Sequence, residues 1–259
     1  MEECKRCHGS GYVIVSEKRK ESIEVYGKIK ELVYTAPCPI CNGGEEKHLF
    51  EIKSRANLPS TYYDAMLEDF KWDCYLDNNN KIIDLEKHKA FVDSFVENYK
   101  KWEQKGLGLY IHSQTRGTGK TFLASCICNT LMEQEHIVTK FVNANELVDL
   151  SYRELRQGEK NPIDVMCECR LLVLDDLGQK STARDYMNDL LFKIIENRYQ
   201  KKLVTLFTSN LKATDLAIDE RVISRISKMT QNIPLPDYSY RQKESFDEKK
   251  DFFKEMGLM

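Results

Sequence analysis

The chain has 259 residues, of which 41% are apolar and 31% are charged, and its formal net charge is −2. This length suffices for one large domain, or for a medium-sized domain with a small accessory module. This net charge, close to zero, excludes a protein whose whole surface carries positive potential, but it is compatible with a local basic groove for nucleic acid. No apolar run approaches a membrane span and no signal-peptide pattern opens the chain, so we expect a cytoplasmic protein without a membrane partner.

Two C-x-x-C pairs mark the first fifty residues, formed by Cys4, Cys7, Cys38 and Cys41. A tight C-x-x-C turn presents two thiolates, and tetrahedral Zn²⁺ takes four such ligands in a structural site. Residues 12–15 and 30–34 between the pairs are typical of two hairpin strands. So short a module has little core, and bound zinc would supply much of its folding free energy. We predict a zinc-binding module over residues 1–50 that docks a partner.

Residues 51–105 are predicted to form a connector. Residues 57–60 have the composition of a turn, and residues 77–81 that of a polar loop. A helix is predicted over residues 85–104, because aromatic residues recur there at three- and four-residue steps: Phe91, Phe95, Tyr99 and Trp102. We interpret these rings as core packing rather than as a base-stacking surface.

From residue 106 onward, strand and helix patterns alternate. Strands are predicted at residues 109–112, 138–142, 171–174, 203–208 and 232–235, and helices at residues 120–135, 146–156, 182–199 and 215–228. This alternation predicts a three-layer α/β fold with a parallel sheet, whose ligands bind beyond the carboxyl ends of the strands. We assign this domain to residues 106–242 and a C-terminal helical tail to residues 243–259.

A glycine-rich run follows the first of these strands and consists of Gly117, Thr118, Gly119, Lys120 and Thr121. Such a loop surrounds phosphates with backbone N–H groups and aims a helix N-terminus at them. The Lys120 ammonium would reach the outer phosphates, and the Thr121 hydroxyl would ligate Mg²⁺. The usual pattern has a further glycine where Gln114 stands. We predict that this loop binds ATP.

Two carboxylates, Asp175 and Asp176, end the apolar strand predicted at residues 171–174. Because ligands gather at the carboxyl ends of parallel strands, these side chains are expected beside the glycine-rich run. Asp175 would hold the Mg²⁺ ion from the side opposite Thr121. The two motifs together therefore predict a site for ATP and Mg²⁺.

Several further segments follow in a fixed order, at residues 169–178, 197–199, 208–211, 221–225 and 239–241. Together with the glycine-rich run, they resemble the AAA+ ATPases. Within that class the chain is similar to the DnaC/DnaI helicase loaders and the related IstB transposition ATPases. The likeness covers about residues 55–242 and is more specific than any single motif.

The resemblance implies a role for each matching side chain. Asp176 stands at the position of the general base, where many AAA+ proteins have glutamate, and its shorter side chain implies slow hydrolysis. Asn210 matches the first sensor, which positions the attacking water or the γ-phosphate. Arg225 is the candidate arginine finger that reaches a neighbour's site, with Arg221 as runner-up. Arg241 resembles a second sensor only through its Ser-Tyr-Arg context.

The function implied is that of an ATP-dependent loader, which binds a hexameric replicative DNA helicase and helps place it on single-stranded DNA during replication initiation. A finger acting in trans implies self-association. Residues 179–184 are a candidate DNA-facing segment, and a solvated loop is an equally good interpretation. The zinc module is similar to that of DnaI-type loaders and favours the loader interpretation.

Two alternatives stay open. One is an IstB-like transposase helper ATPase, whose partner would be a transposase. The other is an ATP-gated adaptor with little turnover, which the departures at Gln114 and Asp176 motivate.

Overall fold

The computed structural model describes residues 12–17, 32–37, 43–155, 159–178 and 184–241, together with residues 252, 254 and 256. The chain divides into two compact units, residues 1–54 and residues 55–259. In the first unit, strands β1 (Tyr12–Glu17) and β2 (Leu32–Pro37) pair in antiparallel fashion, which confirms the predicted hairpin. Helix α1 (Gly43–Ala56) follows. The predicted zinc ligands Cys4, Cys7, Cys38 and Cys41 lie outside the described residues, as does most of the predicted C-terminal tail.

The second unit is built on a five-stranded parallel sheet. Its strands are β3 (Gly108–His112), β4 (Thr139–Asn143), β5 (Leu171–Leu177), β6 (Val204–Ser209) and β7 (Thr230–Pro234). They lie in the order β4-β5-β6-β3-β7. Every residue of β3 and β6 is buried, because helices cover both faces of the sheet. The near-continuous apolar runs in the sequence arise from this double burial.

Seven helices of this unit are described: α2 (Glu86–Glu97), α3 (Tyr99–Lys105), α4 (Lys120–Glu135), α5 (Leu147–Tyr152), α6 (Pro162–Glu168), α7 (Arg184–Gln200) and α8 (Glu220–Met229). Helix α4 packs on one face of the sheet, against β3, β5 and β6. An apolar cluster fills the other face and joins sheet and helix residues, among them Leu172, Leu174, Phe207, Leu191, Ile194 and Ile226. The predicted three-layer α/β architecture is confirmed. Among the described residues, none of the helices combines the length and apolar character that a membrane crossing requires.

The predicted helix over residues 85–104 is interrupted at Asn98. This residue ends α2 and precedes α3 with non-helical angles of φ −112° and ψ 27°. Asparagine competes with the helix through its own short polar side chain, which makes it a natural break point. Phe95 packs edge-to-face on Tyr99 at 5.7 Å and on Trp102 at 5.4 Å, as the core interpretation requires. For Phe91 that interpretation was wrong, because its side chain is 43% exposed.

Other differences concern element boundaries. The helix predicted at residues 146–156 is the shorter α5, and the one predicted at residues 215–228 begins only at α8, where the Asp219 carboxylate accepts the Arg221 N–H. Helix α6 was missed, although Asn161 and Pro162 form a typical helix start. The helix ends at Glu168, shortly before the third predicted strand, and its seven residues are too few to show a clear periodicity.

Residues 57–82, part of the predicted connector, pack onto α4. The Asn129 side-chain amide donates to the carbonyl oxygens of Tyr62 at 3.0 Å and Ala65 at 2.8 Å. The Leu67 N–H donates to the Thr130 hydroxyl at 3.0 Å. Both α4 side chains, Asn129 and Thr130, are buried, so water does not compete for these hydrogen bonds. They therefore fix an irregular segment beside the glycine-rich run.

Arg198 is the largest fully buried side chain among the described residues, with none of its surface exposed. Its guanidinium donates to the carbonyl oxygens of Met166 at 2.6 Å, Cys169 at 2.8 Å and Val204 at 2.5 Å, and to the Thr205 hydroxyl at 2.9 Å. Burial lowers the pKa of this guanidinium. Two of the carbonyls close the carboxyl end of α6, where the helix dipole favours a cation. One side chain thus ties α7 to α6 and β6.

Candidate nucleotide-binding site

The phosphate loop, residues 117–121, joins β3 to α4 and requires its glycines. Gly117 and Gly119 have φ angles of 76° and 91°, which side-chain-bearing residues rarely adopt. A Cβ atom at Gly119 would also lie 3.2 Å from the Phe70 ring. Gln114 is not among the residues with positive φ, and its side chain is exposed. The structure therefore accommodates glutamine where the usual pattern has glycine.

Asp237 supports the start of this loop. Its carboxylate accepts the Ser113 hydroxyl at 2.8 Å and the Thr115 N–H at 3.1 Å. The hydrogen bond from Ser113 is the largest cause that lowers the pKa of Asp237, so the carboxylate is ionised at neutral pH. No sequence motif marks Asp237, which follows β7 and reaches the loop only because β7 pairs with β3.

Lys120 lies at the first position of α4 and points into the loop. Its ammonium donates to Thr115 O at 2.8 Å, the Thr118 hydroxyl at 3.2 Å and Ser113 O at 3.4 Å. Burial lowers the pKa of Lys120, and the nearby carboxylates of Asp176 and Asp175 oppose that shift. Among the described residues, the hydrogen-bond acceptors of this cation are all neutral, and a cation of that kind at a helix N-terminus is arranged to receive a phosphate group.

The Asp175 carboxylate, buried near the end of β5, accepts hydrogen bonds from two hydroxyl groups. Thr121 donates to its carboxylate at 3.0 Å, and Thr208 donates at 2.5 Å. Burial raises the pKa of Asp175, while the bonds from Thr208 and Thr121 act against that shift. Carboxylate and hydroxyl oxygens are the protein ligands that Mg²⁺ accepts, and they lie together beside the loop, so these residues fit the ion. Thr208 was not identified as a site residue in the sequence.

Asp176 has a φ of 61°, in the left-handed region that aspartate tolerates better than most residues. This turn coincides with a shift in the pairing of β5 and β6 between Leu174 and Leu177. The Asp176 N–H donates to the Thr208 hydroxyl at 2.9 Å, and the Asn210 amide donates to its carboxylate at 3.4 Å. The irregular strand end thus brings the carboxylate of Asp176 and the amide of Asn210 together.

The phosphate loop opens into a cleft of about 440 Å³, whose lining includes Asp176, Asn210, Tyr240 and Arg241. The Arg241 N–H also donates to Gly117 O at 3.3 Å. A smaller space of about 240 Å³, the base recess, adjoins the loop and is lined by residues that include Phe70, Tyr75, Phe122 and Tyr240. The Tyr75 hydroxyl is committed to Thr118 O at 2.7 Å, so mainly ring surfaces face the recess.

Arg225 and Arg221 do not line this cleft. Both lie on α8 beside α7, in an open cleft of about 550 Å³ that we call the finger cleft; its lining is Phe192, Glu196, Gln200, Glu220, Arg221, Ser224 and Arg225. Both arginines thus lie away from the phosphate loop of their own chain, and the finger acting in trans stays a prediction.

An exposed aromatic pair forms a second surface that sequence analysis did not identify. Tyr152 at the end of α5 and Tyr186 in the first turn of α7 stack with ring centroids 5.3 Å apart and an interplanar angle of 25°. Their exposed fractions are 70% and 37%. The candidate DNA-facing residues 179–183, just before α7, lie outside the described residues. Sequence periodicity could not reveal this pair, because its members lie on two separate helices.

The cysteines that the structure describes are free thiols: Cys74, Cys126, Cys128, Cys167 and Cys169. Burial is the main cause that raises the pKa of the Cys126 thiol to about 12. Within the part of the chain that the structure describes, no group of three or more potential metal-binding side chains is present. Cys126, Cys128, Cys167 and Cys169 are buried core residues, whereas Cys74 is half-buried.

Comparison with known proteins identifies relatives in DNA replication. The replicative helicase loader DnaI of Bacillus subtilis (strain 168) is 30% identical over 133 residues, which are 48% of this chain and 40% of that protein. The replicative helicase loader DnaC of Escherichia coli (strain K12) is 23% identical over 177 residues, or 67% of each chain. A crystal structure of DnaI matches 71% of this chain and 96% of its own with a TM-score of 0.56 and 26% identity. The alignment with the Bacillus subtilis relative thus spans less than half of that protein.

The family of IstB-like ATP binding proteins matches residues 67–248. This match covers more than half of the chain and contains the phosphate loop, Asp175, Asp176, Asn210 and both finger candidates. The chain belongs to the family of IstB-like ATP-binding proteins.

Proposed function

We propose that this protein is an ATP-dependent loader that binds a hexameric replicative DNA helicase and helps place it on single-stranded DNA. The observation that carries the proposal is that Lys120 and Thr121 line one cleft and that the Thr121 hydroxyl donates to Asp175, in a chain whose curated relatives are named replicative helicase loaders. Membership of the IstB-like family supports ATP binding. The loader relatives suggest that the partner is a replicative helicase.

The cleft and the base recess suggest how ATP binds. The triphosphate would lie on the phosphate loop, with the Lys120 ammonium and the N-terminus of α4 balancing its charge. The flat adenine base fits the base recess, where the rings of Phe70, Phe122 and Tyr240 offer stacking surfaces. Thr121 and Asp175 would hold Mg²⁺, which neutralises charge on the outer phosphates when bound.

Hydrolysis is assigned to the polar groups at the ends of β5 and β6. The Asp176 carboxylate would orient the attacking water, and the Asn210 amide fixes that carboxylate through its hydrogen bond at 3.4 Å. Aspartate reaches less far than glutamate, so we infer slow turnover. Arg225 of a neighbouring copy would complete the site, so the turnover rate should rise when subunits assemble. Arg241 lines the cleft and is a candidate second sensor.

The direct test is complex formation with the hexameric replicative helicase of the same host. Size-exclusion chromatography with light scattering would compare mixtures with and without ATP and Mg²⁺. We expect a stable complex that responds to nucleotide, and a Lys120→Ala protein should lose the response. If no complex forms in either condition, the loader assignment is wrong. The IstB-like transposase helper then becomes the leading function, with a transposase as the partner to assay.

Turnover separates the loader from an ATP-gated adaptor. The loader assignment predicts ATP hydrolysis that the helicase or single-stranded DNA stimulates. A complex that forms on ATP binding but shows no stimulated hydrolysis would favour the adaptor instead.

The four N-terminal cysteines are proposed to bind one Zn²⁺ ion in a helicase-docking module. The proposal depends on the C-x-x-C spacing of Cys4, Cys7, Cys38 and Cys41. Elemental analysis of the purified chain should find one zinc per molecule, and replacing Cys4 and Cys7 with serine should remove it. If that zinc-free variant binds the helicase as well as the parent protein, the docking site lies elsewhere.

The stacked pair of Tyr152 and Tyr186 is proposed to contact bases of single-stranded DNA. Each base–aromatic stack contributes about 1–3 kcal/mol, so replacing both tyrosines with alanine should weaken binding at least roughly 30-fold. The salt dependence of affinity should stay unchanged, because no phosphate contact is lost. Fluorescence anisotropy of a labelled oligonucleotide measures both quantities.

A matched comparison replaces Lys180 and Arg184, which belong to the candidate DNA-facing segment. That variant should lower the salt slope as well as the affinity, since it removes cations rather than rings. Unchanged affinity in the tyrosine variant would mean that the exposed pair has no role in DNA binding.

A further inference from the structure

The guanidinium of Arg225 is held by two residues of α7. Its Nε donates to Glu196 Oε2 at 2.7 Å, and its Cζ lies 4.7 Å from the centroid of the Tyr199 ring. The other oxygen of Glu196 accepts the Gln200 amide at 2.9 Å. The bond from Arg225, followed by that from Gln200, lowers the pKa of Glu196, which is therefore ionised at neutral pH. Both carboxylate oxygens are occupied, so the carboxylate has a defined orientation.

This arrangement uses only the inner nitrogen of the arginine. The two outer nitrogens of Arg225, Nη1 and Nη2, donate no hydrogen bond to any described residue. They carry the four N–H groups that can bind two phosphate oxygens at once. Arg221, one helical turn earlier, differs because its Nε and Nη2 both bind Asp219, at 3.1 Å and 2.7 Å. Of the two finger candidates, Arg225 has more donors left for a ligand.

We propose that Glu196 is the positioning residue of the arginine finger: it fixes Arg225 through Nε so that Nη1 and Nη2 meet the phosphates of ATP on a neighbouring copy. This inference rests on the proposed function, in which Arg225 acts in trans. A free arginine side chain has many rotamers, and a guanidinium that is already fixed loses less conformational entropy on reaching the transition state. Tyr199 supports the same pose by covering one face of the guanidinium plane.

The test uses mixed assemblies. An Arg225→Ala chain keeps its own ATP site but has no finger, whereas a Lys120→Ala chain keeps its finger but has no working ATP site. Mixing the two should restore ATP hydrolysis if the finger acts in trans. The finger-donating chain then also carries Glu196→Ala or Glu196→Gln. We expect alanine to lower the kcat of the mixture roughly 10- to 100-fold, with KM for ATP unchanged, because only the finger's placement is lost.

Glutamine should restore most of this activity, since its amide oxygen can accept the same bond from Arg225 Nε. The matched control is Lys193→Ala, which removes an exposed α7 ion pair with Asp164 at 3.3 Å and should leave the mixture's kcat unchanged. Thermal unfolding of each variant verifies that it is folded.

The outcomes distinguish a failure of the finger in trans from a failure of Glu196 as its positioning residue. If mixing never restores hydrolysis, the finger in trans is wrong, whatever Glu196 does. If mixing restores hydrolysis and Glu196→Ala leaves kcat intact, Glu196 does not position the finger. If Glu196→Gln raises kcat above the parent value, the carboxylate restrains Arg225 instead, which also overturns the proposal.

Discussion

Replacing Arg198 with alanine should lower the free energy of unfolding by about 3–6 kcal/mol, because it leaves the buried carbonyl groups of Met166, Cys169 and Val204 without a donor. Each unsatisfied buried group costs about 1–3 kcal/mol, and the lost side-chain volume adds a cavity. Removal of a poorly solvated charge offsets part of this loss, since burial lowers the pKa of the guanidinium. Denaturant unfolding followed by circular dichroism measures the difference.

Arg170 provides the matched control for this substitution. It makes two hydrogen bonds of 2.8 Å to the carboxylate of Glu103, but its side chain is 44% exposed. Arg170→Ala should cost no more than about 1 kcal/mol, because water replaces the lost partner. Equal losses in the two variants would show that the hydrogen bonds of Arg198 add little beyond those of a surface ion pair.

Replacing Lys120 with alanine should weaken ATP binding about 100-fold or more while leaving the fold intact. The variant removes the buried cation that lies among loop carbonyls, and loss of one partner of a desolvated charge pair costs roughly 2–5 kcal/mol. Addition of ATP and Mg²⁺ should raise the melting temperature of the parent protein and leave that of the variant unchanged. Lys193→Ala, an exposed change on α7, should respond to nucleotide as the parent does.

Without nucleotide, Lys120→Ala should also change how the stability of the protein depends on pH. Burial lowers the folded-state pKa of Lys120 below its usual value, so the unfolded chain holds that proton more tightly. The parent's stability should therefore rise with pH between the lowered pKa and the ordinary lysine value, and Lys120→Ala should lack this rise. At neutral pH the variant should be at least as stable as the parent. A large destabilisation there would indicate that Lys120 supports the fold rather than phosphate binding.

Local sequence patterns were sufficient for the parts of the site that lie close together along the chain. Glycines with positive φ, a lysine at a helix start and an aspartate ending an apolar strand each leave a short signature. Thr208 and Asp237 leave none. Thr208 reaches Asp175 because β6 neighbours β5, and Asp237 reaches Ser113 because β7 neighbours β3. These contacts depend on strand order, which periodicity does not specify.

The fold, too, was only partly predictable from local sequence patterns. The alternation of strands and helices predicted the three layers, because continuous apolar strands need cover on both faces. The break at Asn98 and the short helix α6 escaped prediction because each depends on a few residues whose local preferences compete. The burial of Arg198 escaped it as well, since an arginine near a helix end is usually solvated.

The attachment of residues 57–82 to the loop has a thermodynamic consequence. Phe70 and Tyr75 form one wall of the base recess, and the Tyr75 hydroxyl bonds to the backbone of Thr118. A ligand in that recess and a protein that binds residues 57–82 would both contact this segment. If such a protein changes the affinity for ATP by some factor, ATP must change the affinity for that protein by the same factor. The change in ATP affinity caused by the protein and the change in affinity for the protein caused by ATP would then be two measurements of one coupling free energy.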